Sequence, residues 1–157
     1  MDKLWAPWRI NYLKKKPQKG CIFCSGRKGG SKEYCLFKTA HTKVILNIFP
    51  YNNGHLLVAP LRHVARLGQL KDNEVIDLFH AVNKAQKLLD KVLKPQGYNL
   101  GINLSRSAGA GITGHLHLHI VPRWIGDTNF MPALFQTKVI SQSLAELYKQ
   151  LKNAQSR

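Results

Sequence analysis

GAGITGHLHLHIVPR, residues 109–123, is the stretch that decides how this chain folds. From His115 onward, imidazole and aliphatic side chains alternate without a break. Because successive side chains of a β-strand point to opposite faces, the pattern predicts a strand with His115, His117 and His119 on one face and aliphatic residues against a core. In a helix the same histidines would spread over about 200° of arc. The alternation therefore favours a strand.

Three imidazoles on one face of a strand indicate chemistry. A solvent-facing polar strand that is rich in histidine is the plainer alternative. Two chemical uses remain, because three neutral imidazoles ligate a metal ion, or one acts as a nucleophile while its neighbours handle protons and phosphate charge. The three residues by themselves leave both uses open.

The composition describes a single globular domain with a strong positive charge. The 157 residues are 44% apolar, and we assign residues 1–157 to one domain. Lys and Arg number 24 against 8 Asp and Glu, a formal net charge of +16. Such a charge predicts attraction to polyanions, namely nucleotides, nucleic acid or anionic surfaces, although a solvated surface of lysines is the alternative.

The sequence carries no membrane or secretion signal that we recognise. No run of 18 apolar residues is present, and Trp8-Arg9 interrupts the apolar start of the chain. The three cysteines are an odd number, which does not fit a disulfide framework. We therefore expect a cytoplasmic protein without a membrane partner.

Residues 1–32 form an N-terminal arm that contains a basic, glycine-rich Cys-x-x-Cys loop. Zinc knuckles, redox pairs and buried thiols all contain this spacing. No second cysteine pair follows Cys21 and Cys24, so a tetrahedral zinc site would have to draw on histidines. His63 and His115 are the candidates.

Short β-branched and aromatic runs predict the remaining strands, at residues 33–38, 43–49, 55–60 and 99–104. The second and third runs flank a turn with Asn53-Gly54, which indicates a β-hairpin. His55 and Asn47 lie where this hairpin opens. Turn chemistry explains either residue alone, but beside three histidines both are candidates for ribose or phosphate contacts.

Two helices are predicted. The longer begins with Asp72 as N-cap, packs an apolar face that includes Val75, Ile76 and Phe79 on the core, and ends before Pro95. A capping box at Ser143-Leu144-Ala145-Glu146 begins a shorter C-terminal helix. The Gly-, Ser- and Ala-rich loop over residues 105–114 lets backbone N–H groups approach an anion closely.

The histidine stretch, His115-Leu116-His117-Leu118-His119-Ile120-Val121, matches the signature of the histidine triad superfamily at every position. The similarity extends to further positions along nearly the whole chain: Asn47, Gly54-His55-Leu56, Pro60-x-x-His63, Asn103, Ala108–Gly111, Trp5-x-Pro-Trp8-Arg9, Cys21-x-x-Cys24, Arg123-Trp124 and Asn129–Pro132. The chain resembles the bacterial branch of diadenosine tetraphosphate hydrolases or phosphorylases.

The resemblance implies an α+β fold with a five-stranded antiparallel sheet, one long helix and a C-terminal helix, assembled as a homodimer. It also implies that His117 attacks a nucleotide α-phosphate and forms a covalent nucleotidyl-imidazole. His119 and His55 would contact the phosphate oxygens. Nucleotide binding would fall to Asn47 on the ribose and, around the phosphates, to Asn103, Gly109, Ala110 and Gly111. Arg123, ahead of Arg106, would supply charge neutralisation without a bound Mg²⁺.

Relatives with Cys-x-x-Cys imply a zinc site as well. In them the two cysteines pair with a histidine like His63 and with the first histidine of the motif, which here gives Cys21, Cys24, His63 and His115. Such a site would be structural and closed. It would anchor the strand that presents the nucleophile.

The resemblance therefore implies a nucleotidyl hydrolase or transferase that cleaves dinucleoside polyphosphates. A nucleoside phosphoramidase, an enzyme that processes adenylated nucleic-acid ends, and a nucleotide-binding module without turnover are the alternatives; the net charge of +16 keeps nucleic acid among the partners. Nothing in the sequence tells whether water or inorganic phosphate resolves the intermediate, or which base is preferred.

Overall fold

Five antiparallel strands form one sheet in the computed structural model, which describes residues 21–24, 34–127 and 140–156. The strands are β1 (Cys35–Lys38), β2 (Thr42–Leu46), β3 (Leu56–Pro60), β4 (Gly97–Ile102) and β5 (Leu118–Arg123). A short 3₁₀ turn, Leu67–Gln69, precedes helix α1 (Asp72–Leu93), and helix α2 (Leu144–Gln155) follows the sheet. The predicted α+β fold is confirmed.

The strand order is β1-β2-β3-β5-β4, so the last of the five described strands lies between two earlier ones. β5 pairs with β3 on one side and with β4 on the other, both antiparallel. The predicted hairpin forms between β2 and β3. Its turn contains Gly54 with φ +76°, a left-handed conformation that glycine adopts without strain.

Both faces of the central strands are buried, but against different partners. One face packs on α1 and α2, through a cluster that includes Val44, Val58, Ile120 and Leu89. The other face carries a smaller cluster of four residues: Phe23, Ile45, Leu57 and Ala59. Alternation along a strand explains this division, since neighbouring residues point to opposite sides.

The register of β3 against β5 places the histidines on the face away from the helices. Leu57 lies opposite His119 across the ladder, and Leu57 belongs to the cluster around Phe23. The adjacent residues Leu118 and Ile120 pack on the helical side. The histidine side chains and the helices therefore lie on opposite faces of the sheet.

β5 begins at Leu118, three residues later than the alternation predicts. The backbone before it is held differently, because the Leu116 N–H donates to the carbonyl of Val64 at 2.6 Å. The ends of two other strands also shift. β2 stops at Leu46, before Ile48 and Phe49, and β4 covers residues 97–102 where 99–104 was predicted.

The apolar face predicted for α1 is wrong in its first turns. Ile76 and Phe79 are each 57% exposed, while Glu74 is buried. The carboxylate of Glu74 accepts hydrogen bonds from the Arg62 guanidinium and from the N–H of Lys71, the N-cap that replaces the predicted Asp72. This network turns Glu74 and Leu78 toward the protein and leaves the neighbouring apolar side chains outside.

The C-terminal helix matches its prediction more closely. The Ser143 side chain is the N-cap and accepts from the Glu146 N–H at 3.2 Å. None of the helices in the described ranges has the combination of length and apolar character that a bilayer span needs. The Trp5–Arg9 segment and the Asn129–Pro132 segment lie outside the described residues, as does most of the N-terminal arm.

Gly54 offers a test of the hairpin. A Cβ at this position would lie 2.6 Å from Leu93 Cδ1 in addition to the strain of the positive φ. We expect Gly54→Ala to lower the free energy of unfolding by about 2 kcal/mol or more, measured by urea denaturation.

Gly68→Ala is the matched control, because a Cβ there meets nothing within 4 Å. Its free energy of unfolding should stay within about 0.5 kcal/mol of the unsubstituted protein. Equal stability of the two variants would contradict this account of the turn.

Candidate active site

The side chain of His117 is held in a single tautomer by the backbone. Its Nδ1 lies 2.8 Å from the carbonyl oxygen of His115, in a buried position. A carbonyl oxygen only accepts, so Nδ1 carries the hydrogen and the neutral ring keeps a free lone pair on Nε2. Burial lowers the pKa of His117 below its ordinary value, while the bond to the His115 carbonyl works in the opposite direction. The ring is therefore neutral near pH 7, with Nε2 unprotonated.

His55 and His119 form a second chain of fixed tautomers. The N–H of Tyr51 donates to His55 Nδ1 at 3.0 Å, so a neutral His55 carries its hydrogen on Nε2. That Nε2–H donates to His119 Nδ1 at 2.8 Å, which places the hydrogen of a neutral His119 on Nε2. Among the described residues, nothing accepts from this buried Nε2. A buried N–H without a partner is a binding group for an oxygen of a ligand.

Burial keeps both of these rings neutral. It lowers the pKa of His55 to about 3, with smaller contributions from the nearby His119 and His117. It lowers the pKa of His119 to about 4, with a smaller contribution from His117. The tautomers derived from the hydrogen bonds therefore describe the rings throughout the neutral pH range.

The three rings lie against one another on the face away from the helices. The ring centroids of His117 and His119 are 5.0 Å apart, and those of His55 and His119 are 5.1 Å apart. Tyr51 stacks on His119 with an interplanar angle of 13°, and its side chain is half exposed. The cluster therefore combines one free lone pair, on His117, with one free N–H, on His119.

The first histidine of the motif points to a different cluster. His115 Nε2 lies 2.9 Å from the carbonyl of Pro60, so it carries the hydrogen and leaves the lone pair on Nδ1. That Nδ1 lies 3.2 Å from Cys21 Sγ, 3.4 Å from Cys24 Sγ and 3.2 Å from His63 Nδ1. The predicted set of two thiols and two imidazoles is therefore assembled around a common centre.

The dimensions of this cluster fit a zinc ion. The four ligand atoms of Cys21, Cys24, His63 and His115 all lie within 4.8 Å of one another. Tetrahedral zinc with ordinary Zn–N and Zn–S bonds has ligand–ligand edges of roughly 3.3–3.8 Å. The hydrogen bond from His115 Nε2 to a backbone carbonyl is the usual support of a metal-bound imidazole. Cys35, the third cysteine of the chain, lies outside the set.

Phe23 joins the two clusters. It lies between the two cysteines in sequence, is 2% exposed, and packs against His115 at 5.0 Å and His117 at 5.2 Å between ring centroids. The Cys-x-x-Cys loop therefore contributes the wall behind the His117 ring as well as two thiols.

The other residues predicted to contact the nucleotide lie at the edge of the histidine cluster or outside it. The Asn47 amide lies beside His55 Nδ1 at 3.2 Å and accepts from the Phe49 N–H, so it belongs to the rim of the cluster. The half-buried Asn103 follows the end of β4. In the glycine-rich loop, the N–H groups of Gly109 and Ala110 donate to carbonyls of the same loop, whereas Gly111 is exposed. A phosphate would reach the first two amides only after those bonds open.

Arg123 is not brought to the histidine cluster. Its guanidinium donates twice to the Asp127 carboxylate and once to the Asn99 side chain. Four residues of strand, roughly 13 Å, separate it from His119. Its position at the end of β5 makes it a structural cation in this conformation. Arg106 lies exposed in the loop before the motif.

Two contributors to the site were missed from the sequence. Tyr51 acts through its backbone N–H and its stacked ring, and Phe23 acts by packing. The sequence holds a signal for each, since Tyr51 lies in the turn before His55 and Phe23 lies between two candidate ligands.

Comparison with known proteins places this geometry in a family. The model of the HIT domain matches residues 28–124. The chain is 36% identical to an AP-4-A phosphorylase of Mycobacterium tuberculosis over 93% of its own length and 80% of the relative's. It is 38% identical to an asymmetrical bis(5'-nucleosyl)-tetraphosphatase of Schizosaccharomyces pombe, over 55% of this chain and 47% of that one.

A solved structure also resembles the fold. The crystal structure of the NitFhit protein of Caenorhabditis elegans superimposes with a TM-score of 0.63 and 30% identity, covering 78% of this chain and 27% of that one. The sequence match, the sheet and the histidine geometry agree with one another, and the chain belongs to the HIT domain family.

Proposed function

We propose that this chain cleaves dinucleoside polyphosphates at an α-phosphate through a covalent nucleotidyl intermediate on His117. The observation that carries the proposal is the hydrogen bond from His117 Nδ1 to the His115 carbonyl, which leaves Nε2 as a free nucleophile in a neutral ring. The names of the phosphorylase and tetraphosphatase relatives support the same class of substrate.

The proposed reaction has two displacements at the same phosphorus. His117 Nε2 forms a bond to the α-phosphorus, and the bond from that phosphorus to the bridging oxygen breaks, so the remaining nucleotide leaves with the electron pair. The Nε2–H of His119, held by His55 and ultimately by the Tyr51 N–H, donates to an oxygen of the reacting phosphate. An acceptor then attacks the phosphorus, the P–N bond breaks, and the neutral imidazole is restored.

We propose inorganic phosphate as the acceptor ahead of water. The M. tuberculosis relative, which aligns with most of this chain, is named a phosphorylase. With diadenosine tetraphosphate as substrate, phosphate as acceptor gives ADP and ATP, whereas water gives AMP and ATP. Around the reacting phosphate we keep Asn47 for the ribose, and Asn103 with the loop from Gly109 to Gly111 for the phosphate oxygens.

A quenched-flow experiment tests the nucleophile and the acceptor together. Enzyme mixed with diadenosine tetraphosphate, without phosphate, should accumulate an adduct of one adenylyl group per chain, seen by intact mass and acid-labile. We expect His117→Ala to abolish the adduct and to lower kcat on the order of 10⁴-fold or more. Added phosphate should release the adduct as ADP.

His80→Ala is the matched control, because His80 lies exposed on α1. It should form the adduct at the unsubstituted rate. Full activity of His117→Ala would overturn the proposed nucleophile, and release of AMP at unchanged rate in the presence of phosphate would replace phosphorolysis by hydrolysis.

We further propose that Cys21, Cys24, His63 and His115 hold a structural zinc ion. The two thiols, which form no disulfide, the lone pair of His115 Nδ1 and its supporting bond to Pro60 fit that ion. Bound zinc would fix the loop that carries Phe23 and the backbone carbonyl that orients His117. Reduced thiols fit a cytoplasmic location, which we propose for this protein.

Metal analysis of the purified protein tests this site. We expect one zinc per chain, loss of the metal in Cys24→Ser, and a free energy of unfolding lower by about 4 kcal/mol. Cys35→Ser is the matched control and should keep its zinc, since its thiol lies outside the cluster. A native protein that folds and turns over without any metal would contradict the assignment.

We propose a homodimer formed through the edge strand β4. Its outer side pairs with no strand among the described residues, and the apolar side chains of Leu100 in β4 and of Leu104 just after it are exposed. An open edge beside exposed apolar residues is a surface that a second copy covers.

Sedimentation velocity tests this assembly. We expect the unsubstituted chain to sediment as a dimer and Leu100→Glu as a monomer with the same melting temperature. Leu61→Glu, at a comparably exposed leucine after β3, should remain dimeric. A monomeric unsubstituted chain at micromolar concentration would refute the homodimer.

A further inference from the structure

A basic cleft lies between α1 and α2, away from the histidines. It has a volume of about 300 Å³ and is lined by Phe37 of β1, by α1 lysines and by the end of α2: Lys84, Lys87, Lys91, Ala154 and Gln155. Both helices pack on the face of the sheet opposite His119. The sheet therefore separates this cleft from the reacting groups.

The three lysines form one row. Their spacing of three and then four residues places them on the same side of α1, over about 10 Å of the helix axis. The ion pairs among the described residues join Arg62 to Glu74 and Arg123 to Asp127, and involve none of this row. Lys91 Nζ donates to the carbonyl of Ala154 at 3.1 Å and keeps two further N–H groups.

The nearest carboxylates of the two helices are directed elsewhere. Asp90 accepts from the Tyr98 hydroxyl at 2.6 Å, on the side of α1 that meets β4. Glu146 accepts from Gln150 in the first half of α2, about 12 Å along the helix axis from Ala154. The lining of the cleft contains three lysines and no carboxylate, so positive charge predominates there.

An aromatic ring accompanies the charge. Phe37 is half-buried in the cleft, and Lys84 Nζ lies 4.8 Å from the centre of its ring. A positive groove with an aromatic side chain is the combination that binds single-stranded nucleic acid, with phosphates on the cations and a base on the ring. A bilayer surface instead requires a protruding apolar face, which a concave cleft lacks.

We propose that this cleft binds the backbone of a single-stranded nucleic acid through Lys84, Lys87 and Lys91, with a base against Phe37. The row of lysines spans about three nucleotide steps of a stacked strand, at roughly 3.4 Å per step. Because the sheet lies between the cleft and His117, a strand bound here and a nucleotide at the histidines occupy the protein together. The site is thus independent of the proposed reaction.

Fluorescence anisotropy of a labelled single-stranded oligonucleotide, titrated over a range of salt concentrations, tests the proposal. We expect Lys84→Gln with Lys87→Gln to weaken binding at least tenfold. The slope of log affinity against log salt should fall in magnitude by about 1.4, since each phosphate contact to a single strand contributes about 0.7. Glutamine keeps helix propensity, so the double variant should retain its melting temperature.

The matched control removes the same charge elsewhere. Arg66→Gln with Lys71→Gln changes two exposed cations, one before the 3₁₀ turn and one at the N-cap of α1, and Lys71 lies roughly 24 Å along the helix axis from Lys87. Its affinity should stay within twofold of the unsubstituted protein. An equal loss of oligonucleotide affinity in both double variants would overturn the proposed site. It would indicate diffuse attraction of the oligonucleotide to a positively charged protein.

Two further measurements identify the ligand and the location. Phe37→Leu should weaken the binding of the oligonucleotide but leave the binding of inorganic polyphosphate unchanged, because only the nucleic acid has a base that contacts the ring. AMP at saturating concentration should leave oligonucleotide binding intact. Displacement by AMP, absence of oligonucleotide binding, or lysine-dependent binding to phosphatidylserine vesicles in its place would each overturn the proposal.

Discussion

One residue, His115, couples the two clusters of this protein. Its side chain gives Nδ1 to the thiols of Cys21 and Cys24, and its main-chain carbonyl accepts the hydrogen of His117 Nδ1. The free lone pair on His117 Nε2 thus depends on the backbone carbonyl of a residue whose side chain lies in the cysteine–histidine cluster. Loss of the hydrogen bond to that carbonyl would leave the His117 ring free to adopt its other tautomer.

Burial on one face of the sheet explains how a basic protein keeps neutral imidazoles. The histidines lie with Phe23 and the small apolar cluster on one face, where burial lowers their pKa values. The lysines of α1 and α2 lie on the outer surface of the helical layer, where water and salt screen them. One cation, Lys43, lies on the histidine face with its Nζ 5.9 Å from the centre of the Phe23 ring, and burial lowers the pKa of its ammonium as well.

Much of this arrangement could be predicted from the sequence, because it depends on side-chain patterns within short segments. Alternation at His115–His119 predicted the shared face, and the Cys-x-x-Cys spacing with His63 predicted the ligand cluster that the structure assembles. What escaped prediction depends on backbone atoms, some near in sequence and some distant. The carbonyl of Pro60 and the N–H of Tyr51 set tautomers, yet a carbonyl or an amide belongs to almost every residue and leaves no pattern to read.

Two other differences between prediction and structure involve charged partners. Arg123 has an acid four residues later, and that Asp127 holds the guanidinium in the structure. The first turns of α1 carry apolar residues that the period assigns to the core. The ion pair between Arg62 and Glu74, made across twelve residues, decides the orientation instead. Local periodicity cannot anticipate a partner on another segment.

The strand order has a consequence for how the protein is made. β5 follows the other four strands in sequence among the described residues, yet it lies between β3 and β4. A nascent chain that has not yet released residues 118–123 from the ribosome holds β3 and β4 with their facing edges unpaired, and such edges attract other strands. Insertion of β5 therefore completes the sheet and brings His119 to the histidine cluster in the same step.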